Sequence, residues 1–240
     1  MTVIRDREPG IQMRTLFVPA PLVAGPLVLG GDEAHHGRTV LRLRAGDEVR
    51  LADGDGSEAV ARVTEVDRQQ LTLDVAQPQS LAPSPAALLT VAVAAPKGDR
   101  FTDLVRMLTE LGVGAIQPLS CERGEREPNL ERARRVAIEA LKQCRRSHLP
   151  RLGPLVDLPT LAGSGSHLIV LDPDGTSAQP GRPMPTTLII GPEGGFTATE
   201  TDAVRQAGAR AVRLASPILR IETAAVAAAA VWVAAWESDA

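Results

Sequence analysis

The first part of the chain alternates apolar and polar residues in short runs. A strand-like stretch (MRTLFV) starts at Met13, and from Val49 the runs VRLAD, AVARVTEV and LTLDV follow. Alternation with a period of two predicts half-buried strands, and the Asp-Gly-Asp-Gly sequence at 53–56 is typical of a hairpin turn. The pattern therefore predicts a small β domain, which we expect to be a barrel.

A stretch at 77–87 (QPQSLAPSPAA) separates this pattern from the next one, because it holds three prolines and no charge. Such a composition is typical of a linker. We therefore predict a β domain at 13–80, a linker at 81–87 and a second domain at 88–240. Residues 1–12 lack periodicity, and we expect a frayed or disordered extension there.

Beyond the linker, apolar runs alternate with amphipathic segments. The continuous apolar run at 88–94 (LLTVAVA) is typical of a parallel strand that is covered on both faces. Strands that alternate with helices predict a mostly parallel α/β sheet. Further strands are predicted at 115–119, 167–171, 187–190 and 211–214, and helices between Asp99 and Gly112 and at 130–147, 197–207 and 222–236.

Composition excludes several classes of protein. The 240 residues are 44% hydrophobic and carry a formal net charge of -3, which is typical of a globular chain of one or two domains. The Ala-rich run at 223–236 is shorter than the roughly 20 apolar residues of a membrane helix. Residues 1–13 lack the apolar core of a secretory signal. We therefore expect a cytoplasmic protein without a membrane span.

The cysteines and histidines indicate neither a disulfide framework nor a metal site. Cys121 and Cys144 are too few for such a framework, and neither has ligand-like spacing to the four histidines. The pair His35 and His36 has no second cluster of ligands at metal spacing. We expect no metal, and the absence of a G-x-S-x-G sequence leaves a hydrolase triad without support.

The strongest local signal is the segment 188–196 (LIIGPEGGF), in which a buried strand runs into a glycine-rich loop before a helix. Open α/β sheets bind ligands at such strand ends. The spacing is neither G-x-G-x-x-G nor a P-loop, and Glu193 would repel a pyrophosphate. The loop suits a ligand with a positive charge, although an ordinary strand-to-helix turn is the alternative.

A second signal lies at 214–225 (LASPILRIETAA), where a strand ends and an Ala-rich helix begins. Ile218 and Leu219 stand beside Arg220 and Glu222, so an apolar pair adjoins a charged pair. This combination could hold an adenine or thioether and a polar reaction centre. The alternative is that Glu222 interacts with the helix dipole and Arg220 is its surface partner.

Two basic regions suggest contacts with phosphates, although solvated charged faces are the alternative. The first lies on the helix that starts at Leu130, and the second lies in the N-terminal domain. Their members are Arg132, Arg135, Lys142 and Arg146 with the adjacent Arg145 and Arg151, and Arg38, Arg42, Arg44 and Arg50.

Together these segments resemble a known family. The blocks LIIGPEGGF (188–196) and ILRIETA (218–224) are similar to those of the 16S ribosomal RNA uracil-N3 methyltransferases, the ribosomal RNA small subunit methyltransferase E family. Supporting blocks are LTELGVGAIQPLSCER (108–123), AIEALKQCRRSHLP (137–150) and HHGRTVLRLRAGDEV (35–49). The resemblance covers nearly all of 13–236. It implies a SPOUT-class α/β domain with a parallel sheet and a C-terminal trefoil knot, preceded by a PUA-like β-barrel domain that binds RNA.

The resemblance also implies an activity and a set of site residues. S-adenosylmethionine would donate a methyl group to N3 of a specific uridine in the 16S RNA of the 30S subunit, and the enzyme would be a homodimer without a metal. Arg220 would stabilise the developing base anion or orient the cofactor, and Glu222 would act as base or orienter. The implied cofactor residues are Leu171, Ile190, Gly191, Pro192, Glu193, Gly194, Gly195, Leu214, Ala215, Ile218, Leu219 and Thr223. The implied RNA-binding residues are Arg14, Arg38, Arg42, Arg44, Lys97, Arg145 and Arg146.

The chain departs from the family pattern at three consecutive positions. Ala215 replaces a glycine, and Ser216 and Pro217 replace the more usual proline and arginine. Two other interpretations stay open at this point. The chain could be an RNA-binding or ribosome-assembly module with the same fold and little catalysis, or a SPOUT methyltransferase that acts on another RNA position. Trp232 and Trp236, four residues apart in the last helix, could pack in the core or across an interface, and we expect the interface.

Overall fold

A computed structural model of the chain describes residues 13–96, 98–124, 127–163 and 166–238. The chain divides into two compact units. The first unit runs to Ala82 and also takes Leu141–Leu149, and the second comprises Pro83–Ala140 and the chain from Pro150 onward. The predicted extension at 1–12 lies outside the described residues.

The first unit contains a mixed sheet of six strands. Its strand order is β1-β3-β4-β5-β2, with β6 paired to β4; β1 and β3 are parallel and the other pairs are antiparallel. The elements are β1 (Arg14–Phe17), β2 (Gly25–Leu29), α1 (Gly31–His35) with a π-helical turn (His36–Val40), β3 (Glu48–Ala52), β4 (Ser57–Val66), β5 (Leu71–Val75) and β6 (Gln79–Ser80).

The alternation in the sequence explains how this sheet forms its core. In β5, Leu71, Leu73 and Val75 are buried, whereas the two residues between them face outward. Burial of one face of each strand is what stabilises a sheet of this size. The predicted small β domain is therefore present, with a core that also includes Leu16, Val49, Leu51 and Val63.

The glycines of the predicted hairpin turn make room for residues from much later in the chain. Gly54 and Gly56 have φ values of 85° and 99°, which favour glycine. The N–H of Gly56 donates to the carbonyl of Ser147 at 2.9 Å. A Cβ on Gly56 would collide with the ring of His148. The turn thus fixes the segment 147–149 within the first unit.

A buried polar cluster also holds Leu141–Leu149 in the first unit. Arg50 on β3 and Glu58 on β4 form an ion pair whose side chains are only 8% and 10% exposed. Ser147 Oγ donates to Glu58 Oε2 at 2.8 Å and accepts from Arg50 Nη2 at 2.6 Å. Lys142 Nζ donates to Glu33 Oε1 at 2.8 Å. Arg50 and Lys142 were expected among the basic surface residues, and that expectation is wrong because both are buried and paired.

The second unit contains a sheet of seven strands in which every pair is parallel. Its order is β10-β8-β7-β12-β11-β13, with β9 paired to β8. After a 3₁₀ turn (Pro85–Leu88), the elements are β7 (Leu89–Ala94), α2 (Arg100–Leu111), β8 (Ala115–Ser120), α3 (Leu130–Cys144), β9 (Arg151–Leu152), β10 (Val156–Asp157), α4 (Leu158–Ala162), β11 (His167–Ser177), β12 (Thr186–Ile190), α5 (Ala198–Gln206), β13 (Arg210–Arg213) and α6 (Ile221–Ser238).

The apolar patterns of the sequence account for these elements. All five residues of β12 are buried, as expected of a central parallel strand. Helix α2 buries Phe101, Leu104 and Leu108 on one face and ends at Gly112, which has a left-handed φ of 79°. The predicted α/β class with a parallel sheet is confirmed, and the trefoil knot stays a prediction.

The last helix, α6, packs into the core of the second unit. Trp232 and Trp236 are 2% and 1% exposed within this single chain. The indole Nε1 of Trp236 donates to the carbonyl of Gly181 at 2.8 Å. These tryptophans are therefore core residues, and the expectation that they pack across an interface is wrong because the chain itself buries both rings. None of the helices in the described ranges has the length and hydropathy needed to cross a membrane.

Removal of Glu58 should destabilise the protein strongly. Glu58→Ala leaves the buried guanidinium of Arg50 without its carboxylate, and breaking such a pair costs about 3 kcal/mol or more. The matched control is Glu48→Ala in the same hairpin, where the Glu48–Arg62 pair is 41% and 61% exposed. We expect the control to lose at most about 1 kcal/mol. Urea unfolding measures both, and equal losses would contradict the assignment.

Candidate active site in the second unit

Parallel pairing brings several loops to one edge of the second sheet. In register, Ile190 pairs with Val93, Ile189 with Val170, and Leu171 with Val212. The carboxyl ends of β7, β12, β11 and β13 therefore meet at the same edge, where open α/β sheets bind their ligands. Leu171 and the loops after Ile190 and Arg213, predicted from separate parts of the sequence, come together there.

The glycine loop after β12 has a compact backbone. Gly195 has a φ of 69°, and its N–H donates to the carbonyl of Pro192 at 2.8 Å. A Cβ on Gly191 would lie 3.0 Å from the ring of Phe196. Arg123 Nη1 donates to the carbonyl of Gly194 at 2.9 Å. The glycines are thus required by the turn and by its close contacts.

A capping box fixes the end of this loop at the start of α5. The backbone N–H of Glu200 donates to Thr197 Oγ1 at 3.3 Å, and Glu200 Oε2 accepts from the N–H of Thr197 at 2.7 Å. The other oxygen, Oε1, accepts from the N–H of Glu122 at 2.9 Å. Glu200 therefore connects the loop after β12 to the segment after β8.

One arginine joins the two loops that the sequence singled out. Arg100 Nη1, at the start of α2, lies 3.5 Å from Glu193 Oε1 and 3.4 Å from Glu222 Oε1. The Glu193 side chain is 58% exposed, whereas that of Glu222 is 18% exposed. Two carboxylates share one guanidinium, so this cluster has a formal charge of -1. Such a cluster favours a ligand with a positive charge.

The second carboxylate oxygen of Glu222 lacks a partner within the described part of the chain. Glu222 Oε2 is buried and has no hydrogen-bond partner among the described residues. A buried oxygen without a partner costs free energy, so it requires a physical explanation. A carboxylate oxygen in this state can accept a proton or a donor group from a bound ligand.

The arginine that pairs with Glu222 is Arg100 and not Arg220. The alternative in which Arg220 is the surface partner of Glu222 is wrong, because Arg100 occupies that position. Arg220 is exposed, and its carbonyl accepts from the N–H of Ala224 at 2.8 Å in the first turn of α6. Sequence reasoning missed Arg100 because only the order of the strands places the start of α2 beside α6.

The residues predicted to bind a cofactor lie in or next to these loops, and they range from buried to exposed. Ile218 is an apolar side chain that is 88% exposed, and it is therefore free to contact a ligand. Ile190 and Pro192 are buried; Leu171, Gly191, Leu214, Ala215 and Leu219 are half-buried; Glu193, Gly194, Gly195 and Thr223 are exposed.

The described residues predicted to bind RNA all belong to the first unit. Arg14, Arg38, Arg42 and Arg44 are exposed, whereas Arg145 and Arg146 are half-buried. The sequence had suggested basic surfaces on two domains. The segment with Arg145 and Arg146 is part of the first unit, whereas the exposed Arg132, Arg135 and Arg151 of the same predicted region belong to the second unit. Lys97 lies outside the described residues.

Two further predictions concern the basic region on α3 and a metal site. Arg132 on α3 forms an ion pair with Asp99 at 2.6 Å, so it is not a free surface cation. In the ranges that the structure describes, no group of three or more histidine, cysteine or carboxylate residues is arranged to hold a metal ion.

Comparison with known proteins decides the family. The profile of an RNA methyltransferase domain matches residues 82–233, and that of an RNA methyltransferase PUA domain matches residues 29–76. A Mycobacterium bovis protein named ribosomal RNA small subunit methyltransferase E is 32% identical in an alignment of 237 positions that covers 89% of this chain and 89% of that protein. The chain belongs to the ribosomal RNA small subunit methyltransferase E family.

Further relatives extend this match to solved structures. The Rickettsia conorii member of the ribosomal RNA small subunit methyltransferase E family is 30% identical and covers 82% of this chain and 84% of its own length. The Neisseria gonorrhoeae member, solved with S-adenosylmethionine, has a TM-score of 0.86 and 28% identity over 94% of this chain and 98% of its own. A Legionella pneumophila protein with bound S-adenosylmethionine has a TM-score of 0.86 and 29% identity over 94% and 99%.

Cys121, at the end of β8, should be chemically inert in the folded protein. Burial, together with the nearby carboxylate of Glu200, raises the pKa of its thiol to about 12. Because the thiolate is the nucleophile, the neutral thiol at pH 8 should not react. In the Cys144→Ser variant, which retains Cys121 as its only thiol, we expect no alkylation by iodoacetamide in native buffer and complete alkylation in denaturant. Rapid native alkylation would contradict the burial of Cys121 beside Glu200.

Proposed function

We propose that this chain transfers a methyl group from S-adenosylmethionine to N3 of a uridine in the 16S ribosomal RNA of the small subunit. Membership of the family supports an RNA methyltransferase of the small ribosomal subunit. The observation that carries the finer proposal is the buried, unpartnered Oε2 of Glu222 at the candidate site. Uracil N3 bears a weakly acidic proton that has to leave, so this reaction benefits from such an acceptor.

The candidate site suits a donor that carries a positive charge. The cluster of Arg100, Glu193 and Glu222 has a formal charge of -1, and glycine backbone lies beside it. When bound, S-adenosylmethionine supplies a methyl group on a sulfonium, which leaves as a neutral thioether. We propose that the residues that hold it are Leu171, Ile190, Gly191, Pro192, Glu193, Gly194, Gly195, Leu214, Ala215, Ile218, Leu219 and Thr223.

The protein's own residues would prepare the uracil for transfer. Glu222 Oε2 accepts the N3 proton, and the N3 lone pair then takes the methyl group to form the new N–C bond. Arg100 holds Glu222 through Oε1 at 3.4 Å and leaves Oε2 free, so we assign Arg100 a positioning role. Arg220 is proposed to stabilise the negative charge on the base or to orient the cofactor.

The first unit is proposed to bind the RNA. The match to an RNA methyltransferase PUA domain at 29–76 supports this role. The proposed RNA-binding residues are the exposed Arg14, Arg38, Arg42 and Arg44, with Arg145, Arg146 and Lys97. We further propose that the protein acts as a homodimer on the 30S particle in the cytoplasm. We also propose that its second unit contains the trefoil knot that the resemblance implies.

Methyl transfer to purified 30S particles tests the proposed function. The particles come from a strain that lacks the endogenous activity, the donor carries a labelled methyl group, and mass spectrometry identifies the product nucleoside. Formation of 3-methyluridine is expected. A different methylated nucleoside would move the activity to another RNA position. Binding to the particles without transfer would favour an RNA-binding or assembly module, with Ala215–Pro217 as the first segment to restore.

Glu222→Gln should separate chemistry from cofactor binding. The amide keeps the size of the side chain but cannot accept the N3 proton, so we expect kcat to fall about 100-fold or more. The affinity for S-adenosylmethionine, measured by calorimetry, should change much less. The matched control is Asp202→Asn on α5, a carboxylate that is 64% exposed. If kcat stays near wild type in Glu222→Gln, another group removes the proton.

Neutralising the exposed arginines of the first unit should weaken RNA binding in a salt-dependent manner. The variant Arg38→Gln, Arg42→Gln, Arg44→Gln removes three cations, and each phosphate contact contributes about 0.7 to 0.9 to the slope of log K against log salt. We expect the slope to fall by about 2. The control removes three exposed arginines of the second unit, Arg134, Arg205 and Arg213. If the slope falls equally in both variants, Arg38, Arg42 and Arg44 are not a specific part of the RNA-binding site.

A further inference from the structure

A cavity in the second unit has no role in the function proposed so far. It has a volume of about 220 Å³ and lies where β7 ends and where α2 and α3 begin. Its walls include Ala95, Pro96, Phe101, Asn129 and Arg132. Of these residues, only Arg132 was considered in the sequence, as part of a basic region, and none belongs to the catalytic, cofactor-binding or RNA-binding residues that the resemblance implies.

The register of the sheet places this cavity next to the candidate active site. Val93 on β7 pairs with Ile190 on β12, and neighbouring strands lie about 5 Å apart. Ala95 lies two residues after Val93, and Pro192 lies two residues after Ile190. The segment that forms one wall of the cavity and the glycine loop therefore follow neighbouring strand ends. Phe101 also directly follows Arg100, the residue that contacts Glu193 and Glu222.

The apolar part of the cavity suits a flat ring. Ala95 and Pro96 are buried, Phe101 is 4% exposed, and Pro128 lines the same space. Enzymes that modify a base inside RNA or DNA extrude it from its stack and hold the ring between aromatic and apolar side chains. The volume is sufficient for a pyrimidine ring.

The polar part of the cavity is lined by Thr102, Glu127, Asn129 and Arg132, of which Asn129 and Arg132 supply hydrogen-bond donors. Asn129 Oδ1 accepts from the N–H of Arg132 at 2.9 Å and so caps α3, which leaves the amide NH₂ free to donate. Arg132 Nη1 bonds Asp99 at 2.6 Å, but a guanidinium has five N–H groups and the others stay available. The N-termini of α2 and α3 add a field that favours negative charge. Glu127 contributes one exposed carboxylate to the lining.

Uracil matches this arrangement better than cytosine. Its O2 and O4 accept hydrogen bonds, and both oxygens share the negative charge once N3 has lost its proton. Cytosine carries an amino group where uracil carries O4. That amino group would face the N–H donors of Asn129 and Arg132 and could not accept a hydrogen bond from them. A cavity with apolar walls and donors from Asn129 and Arg132 therefore fits a uracil and, more strongly, its N3 anion.

We propose that this cavity receives the target uracil after it leaves the RNA stack, and that Asn129 and Arg132 donate to its carbonyl oxygens. The inference rests on the proposed function, because it names the site where the substrate base of that reaction binds. It assigns the two residues a substrate-binding role that neither the glycine loop nor the segment 214–223 supplies.

Photolabelling with 4-thiouridine 5′-monophosphate tests the cavity directly. The nucleotide is irradiated with the wild-type protein, and mass spectrometry maps the modified peptide. We expect the label within 95–102 or 127–132, and uridine monophosphate should compete at least fivefold better than cytidine monophosphate. A label confined to other segments, or equal competition by the two nucleotides, would overturn the proposal.

Two variants probe the donors without removing the helix cap. Asn129→Asp keeps the capping oxygen but replaces the amide donor, and Arg132→Gln removes the guanidinium. Each should lower labelling at least fivefold and lower kcat/KM for 30S particles, while the affinity for S-adenosylmethionine stays within twofold. The matched control is Arg134→Gln, an exposed arginine on the same helix that does not line the cavity. Unchanged labelling in both cavity variants would refute the assignment.

The outcomes distinguish this inference from the proposed function. Formation of 3-methyluridine by the wild type, together with labels outside the cavity, would overturn the inference and leave the function intact. Labels in the cavity without any methyl transfer would support a uracil site and overturn the function.

Discussion

Parallel pairing of the seven strands in the second unit is the constraint on which the candidate site depends. It brings Arg100, Glu193 and Glu222 to one edge of the sheet, although Arg100 and Glu222 are separated by 122 residues in sequence. A slip of one residue in a strand would turn its side chains to the other face. Both faces of β12 are buried, so such a slip would require its closely packed neighbours to rearrange, and the packing of the core therefore helps to determine the geometry of the charged site.

The charges of the second unit differ between its two proposed binding regions. Beside the loops after β12 and β13, the carboxylates of Glu193 and Glu222 share the guanidinium of Arg100. The cavity at the start of α2 and α3 instead presents the donors of Asn129 and Arg132. The first arrangement suits a sulfonium and the second suits a uracil that has lost a proton. The buried oxygen of Glu222 lowers stability, and natural proteins retain such local costs at functional sites.

The first unit depends on a different interaction, the buried pair of Arg50 and Glu58 with the hydroxyl of Ser147. Through this cluster the segment 141–149 becomes part of the unit that also holds Arg38, Arg42 and Arg44. The described residues that the resemblance implies for RNA contact are thereby in one unit, whereas the catalytic and cofactor candidates and the cavity proposed for the target base are in the other. The first unit therefore includes a segment that the predicted domain boundary placed in the second domain. The sequence did not indicate this, because a contact between β strands and a segment about ninety residues later produces no periodic pattern of apolar residues.

The sequence by itself determined the strands and helices with clear apolar periods, the glycine loop, Glu193 and Glu222 as candidate site residues, and the family. These features are local, since the period of the apolar residues reports which face of each element is buried. Tertiary structure decided that Arg100 rather than Arg220 contacts Glu222, that Arg50 and Lys142 are internal, and that Trp232 and Trp236 lie in the core. Each of these outcomes depends on which distant segments become neighbours, and a charge or an aromatic ring in sequence does not identify its partner.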